Sequence, residues 1–171
     1  MSTGMEINPV DQLDALKALF RDVKIEIHYP GDTSEEFKYL ADDNVCITVL
    51  NPYQDEKMYI DLGDEFTLSY GMFHSHYFAE DSEYENMVAD IRNILQNKMC
   101  VASIYHYGSR KKCLGSTIVT RDMMSRPIKE TFHFVLKFPE FKKKIADYGG
   151  EAQFFFWNPA DNRTIDIPER L

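Results

Sequence analysis

Two histidines one residue apart, His74 and His76 in "FHSHYF", come closer to chemistry in type and spacing than any other residues of this chain. On a strand, residues two apart project to the same face. The pair can therefore offer two imidazole nitrogens to one metal ion. Two ligands do not complete a site. Glu80, four residues beyond His76, is the candidate third ligand or base, and a metal-dependent hydrolase is the activity such a set would serve, with one position left to water. The competing reading is the close of an ordinary strand. Carrying the alternation of Phe66, Leu68 and Tyr70 through Met72 puts both histidines on that same, partly buried face, unless a bulge at Gly71 reverses it.

Two family patterns contain such a pair. "GMFHSHY" resembles, over seven residues, the "GWYHSHP" segment of the JAMM metalloproteases. That resemblance implies a Ser eight residues and an Asp ligand eleven residues after the second His, positions held here by Tyr84 and Met87. His74-x-His76-x-x-x-Glu80 is similar to part of the first cupin motif, which implies a glycine where this chain has Leu68. Both patterns break at residues their chemistry needs, so neither family is assigned.

Other reactive groups lack a catalytic setting. The carboxylates Asp42, Asp43, Asp55, Glu56, Asp61, Asp64 and Glu65 fall in loops and turns, where water keeps a carboxylate ordinary. No serine lies in a GxSxG elbow, and no Gly-rich phosphate loop occurs. No cofactor is expected. The basic runs "SRKK" and "KKK" lack the aromatic interleaving of a nucleic-acid groove.

Charge is more informative. The 171 residues carry net −9, yet residues 1–100 hold 20 acidic against 7 basic residues, and the remainder is net positive. An acidic majority repels phosphate backbones and suits electrostatic steering toward a basic protein. The three cysteines are widely spaced, with no CxxC. They suggest reduced core residues and a cytoplasmic setting. No apolar run reaches the length of a membrane helix, and the opening residues lack the pattern of a secretory signal.

The elements follow from periodicity. Asn8-Pro9 starts a helix carrying Val10, Leu13, Leu16 and Phe20. "VKIEIHY" and "VCITVL" read as strands, and "KMYIDLGDEFTLSY" as a hairpin turning at Gly63-Asp64. Ser82-x-x-Glu85 is a capping box ahead of the apolar stripe Tyr84, Met87, Ile91 and Leu95. "CVASIYHY" and "CLGSTIVT" are strands. Pro127 and Pro139 open two helical pieces, Gly149-Gly150 ends them, and the doubly apolar "AQFFFWN" reads as an interior strand. The expected fold is α+β in a single domain, with six to eight mainly antiparallel strands and three to four helices mostly on one side. With no catalytic set complete, the expected function is non-catalytic binding of a basic protein through Asp42, Asp43, Asp55 and Glu56. In size and charge this resembles the small acidic immunity proteins of bacteria.

Overall fold

A computed structural model describes residues 9–41 and 44–169. Asn8, Asp42 and Asp43 lie outside the described residues. The chain is α+β, with nine strands in two antiparallel sheets and five α-helices among the described residues. The expected class and pairing hold, with the strands shared between sheets of five and four. The chain divides into two compact units, residues 1–93 and 94–171, taken here one at a time. Charge divides with them. The first unit holds 20 acidic and 6 basic residues, net −14; the second holds 8 and 13, net +5.

In the first unit, helix α1 (Pro9–Lys17) tightens into a 3₁₀ turn at Ala18–Phe20. Five strands follow: β1 (Ile25–His28), β2 (Val45–Leu50), β3 (Lys57–Leu62), β4 (Glu65–Tyr70) and β5 (Phe73–Phe78). Each pairs with its neighbour in sequence, so the sheet is a simple meander. Register assigns the faces. Ile47, Ile60 and Leu68 are partners across β2, β3 and β4, and all three are fully buried.

The expected placement of the histidines does not hold. Gly71, with φ +57°, makes a tight turn with Met72, so Tyr70 pairs with Phe73. A two-residue connection pairs even positions of β4 with odd positions of β5. The apolar face therefore continues through Phe73 and Tyr77, both buried, while His74 and His76 join Thr67 and Ser69 on the other face. A hairpin turn, rather than a bulge, reverses the parity.

Helix α2 (Asp81–Leu95) follows. The Glu80 carbonyl accepts the Tyr84 N–H at 2.9 Å, so the cap position is Glu80, ahead of the Ser82 that the capping box suggested. Its stripe is the expected one: Met87 and Ile91 are fully buried, and Tyr84 meets Phe66 edge-on, 5.9 Å between centroids. The Tyr77 hydroxyl donates to Asp90 at 2.8 Å. Burial raises Asp90 above the usual carboxylate range, and that hydrogen bond moderates the rise.

The second unit contains β6 (Met99–His106), β7 (Lys112–Thr120), a 3₁₀ turn at Arg121–Ser125, helices α3 (Ile128–Thr131), α4 (His133–Leu136) and α5 (Pro139–Tyr148), and strands β8 (Gly150–Phe155) and β9 (Arg163–Ile167). The sheet order is β7-β6-β8-β9, so the doubly apolar segment is interior, as expected. Pro139 restarts the helix after an extended Phe138, and Gly149, φ +64°, ends it. The core gathers Ile104, Phe132, Val135, Ile145, Phe154 and Phe156.

His106 is buried in this unit, and its Nδ1 has no hydrogen-bond partner among the described residues. Burial, then the Lys144 and Lys112 charges, hold it below the usual histidine range. The unfolded chain protonates a histidine near pH 6.5, whereas the folded state resists until the pH is lower. Stability is therefore full above about pH 6.5 and falls as the pH drops from there to the folded value. Urea unfolding midpoints of the wild type should decline from pH 7.5 to 5.5 more than those of His106→Gln; equal declines would show that His106 plays no part.

Candidate functional site

The exposed end of the five-stranded sheet carries the chemistry. Both histidines stand on β5, the edge strand, and point away from the core. Their Nε2 atoms are 2.9 Å apart, with the rings nearly perpendicular and centroids at 4.5 Å. Each Nδ1 is held by the neighbouring strand. Ser69 Oγ lies 2.8 Å from His74 Nδ1, while Glu65 Oε1 lies 2.8 Å and Thr67 Oγ1 3.2 Å from His76 Nδ1. Ser69 and Thr67 are the register partners of His74 and His76, and Glu65 reaches the second ring diagonally. One continuous line of hydrogen bonds thus runs from a hydroxyl through two imidazoles to a carboxylate.

The carboxylate in contact with the pair is Glu65, not the anticipated Glu80. Glu80 is exposed beyond β5, where its backbone N–H donates to the Phe78 carbonyl at 2.8 Å and its own carbonyl starts α2. Among the described residues, no group of three or more His, Cys, Asp or Glu stands ready to hold a metal ion.

On the same face, Glu65 also walls a groove of about 340 Å³ at the β3–β4 turn. Asp61, Asp64, Asn44, Thr67 and Tyr39 line it too. The Tyr39 hydroxyl donates to Asp61 Oδ1 at 2.6 Å, and burial with that bond raises the Tyr39 phenol above its ordinary value. The turn is close-packed: a Cβ on Gly63 would stand 2.8 Å from Asn44 Oδ1. Asp55 and Glu56 are exposed in the β2–β3 connection, at the far end of β3 from Asp61. At a strand rise of about 3.3 Å per residue, Glu56 and Asp61 are roughly 17 Å apart. Asp55 and Glu56 thus stand a strand's length from the wall where Asp61, Asp64 and Glu65 come together.

The face is partly covered near β1. His28 stacks on Phe37 at 3.5 Å and meets Asp32 at 2.9 Å. Asp32 is lowered to about 2, first by the Ser34 backbone N–H and then by His28. The nearby thiol of Cys46 is fully buried and pushed up by that burial.

Compared with known protein families, curated proteins and solved structures, the chain matches none.

The second unit holds two lesser candidates. Glu151, buried on β8, is held by Lys111, Gln153 and Tyr107, with Lys111 the main cause of its lowered proton affinity. Every partner is accounted for, which marks a structural ion pair. A cavity of about 140 Å³ lies against Lys129, His133, Leu136, Lys142 and Ile145, too small for most ligands. Among the described residues, no helix is long and apolar enough to cross a membrane.

Sequence reasoning found His74 and His76 but not their three anchors. Ser69, Thr67 and Glu65 become visible only once the Gly71–Met72 turn is read as a two-residue hairpin, because register then names the partners.

Proposed function

We propose that the chain is a non-catalytic, acidic protein-binding module, immunity- or inhibitor-like in character, whose first unit receives a basic protein. The observation that carries this reading is the groove walled by Asp61, Asp64 and Glu65 and rimmed by Tyr39, which is 58% exposed. A carboxylate-lined recess beside an exposed tyrosine suits a lysine or arginine side chain, which gains charge-assisted hydrogen bonds and aromatic contact together. The same unit exposes Tyr29, Tyr53, Met72 and Phe78, residue types enriched at interfaces. Its net charge of −14 would speed encounter with a basic partner and repel nucleic acid. Three free cysteines, two of them buried, fit a reducing cytoplasmic setting.

The test is affinity co-purification from the source cells at low and high salt. A variant reversing Asp42, Asp43, Asp55, Glu56 and Asp64 to Lys serves as the comparison. A basic protein should be retained at low salt, weaken as salt rises, and bind the variant at least about 10-fold more weakly, since close charge pairs are worth 1.5 kcal/mol or more. Recovery of no partner, or equal binding to the variant, would remove the reading.

A further inference from the structure

We propose that His74 and His76 form a two-histidine site for a divalent first-row transition metal of the Ni²⁺, Cu²⁺ or Zn²⁺ class. Its ligands lie outside the proposed partner groove, and the two readings share Glu65, which walls that groove and holds His76. Three observations converge on the metal site.

The first is direction. Both rings stand on the exposed face of one strand, and both Nε2 atoms point into the space between them, 2.9 Å apart. Two nitrogens bound cis at about 90° to one metal, each at about 2.0–2.1 Å, are themselves about 2.9 Å apart. The observed separation therefore matches the cis spacing of a square-planar or octahedral ion. A tetrahedral ion needs the two nitrogens to part by a few tenths of an ångström.

The second is anchoring. A metal-binding imidazole gives its remaining N–H to an oxygen, which fixes the tautomer and raises the basicity of the ligating nitrogen. Here both Nδ1 atoms already have such an oxygen, Ser69 Oγ for His74 and Glu65 Oε1 for His76.

The third is access. The pair lies on the edge strand with the His76 and Glu65 side chains about half exposed, 50% and 52%. A hydrated ion can arrive and keep water in its other positions. The described residues supply no third ligand, so the ion would be exchangeable, and its open positions could accept a donor from a bound molecule.

The proton balance is simple. Without metal, one Nε2 must carry the hydrogen shared at 2.9 Å. The partners assign it to His74, whose Nδ1 then accepts from the Ser69 hydroxyl, while His76 Nδ1–H donates to Glu65. On binding, the His74 proton moves from Nε2 to Nδ1, and Ser69 becomes the acceptor. Both rings stay neutral and no proton is released from the neutral pair.

Calorimetric titration of the tag-free full chain with NiCl₂ and, separately, ZnCl₂ in a non-chelating buffer tests this. One ion per chain should bind saturably. His74→Ala and His76→Ala should each abolish that binding while leaving the circular dichroism spectrum unchanged, since both side chains are exposed. Glu65→Gln, which leaves both ligands in place, should keep one site per chain and weaken it about 10- to 100-fold. Absence of saturable binding, binding that survives both alanine variants, or a Glu65→Gln affinity equal to wild type would each overturn the proposal.

Discussion

Gly150→Ala should destabilise the 94–171 unit by about 3 kcal/mol or more, at or beyond the upper end of ordinary overpacking. Gly150 opens β8 and pairs with His106 of β6. A Cβ at this position would run into the carbonyl oxygen of Tyr105 and stand 2.8 Å from Ile145 Cδ1. The obstacle is backbone, so no rotamer change relieves it; the central strand pair must separate. Gly63→Ala is the contrasting case, because there the new methyl meets the Asn44 side chain, which can swing away. The chain has one tryptophan, Trp157, 2% exposed in the same unit as Gly150. Its fluorescence during urea unfolding reads this unit directly. A Gly150→Ala midpoint close to wild type would show that β6 and β8 tolerate the methyl.

Phe132→Ala should cost about 3–5 kcal/mol, the range for deleting a buried aromatic ring. Phe132 is fully buried and packs its ring 6.0 Å from Phe154 and 6.2 Å from Phe134. It also sits at the break between α3 and α4, where its carbonyl accepts the Leu136 N–H at 2.8 Å. The loss is a large share of the 5–15 kcal/mol that holds a typical domain together. Phe132→Leu keeps most of the volume and should lose clearly less. The same fluorescence-detected titration measures both, and equal midpoints for the two variants would mean that the volume kept by Leu contributes little and the ring contacts account for the loss.

Much of the fold is legible in the sequence because its elements are governed locally. The α2 stripe places Met87 and Ile91 in the core by periodicity alone. Pro139 and Gly149 delimit α5 because one lacks an N–H and the other takes a positive φ. The site is legible only in part. Its two histidines are adjacent in the chain, so spacing reveals them. Their face depends on whether Gly71-Met72 adds a turn or an irregularity, and that single choice moves every side chain of β5 from one surface to the other. The anchors Ser69, Thr67 and Glu65 follow from cross-strand register, which local pattern does not contain. Likewise Asp61, Asp64 and Glu65 form one groove wall while Asp55 and Glu56 stand a strand's length away, because β3 carries them to opposite ends.

The meander of β1 to β5 has a consequence in time. From β2 to β5 each strand closes a connection of only six, two and two residues before it finds its partner, whereas β1 and β2 are joined across sixteen. The entropy lost before pairing of the four later strands is therefore small, and such local pairing is rapid. The other sheet cannot be zipped in that order. Its central pair, β6 with β8, forms only after the chain has passed through β7 and three helices. During synthesis the acidic meander also emerges first. Its strand pairs need no residue beyond Phe78, so the groove and the histidine pair can form while the basic segment is still being made.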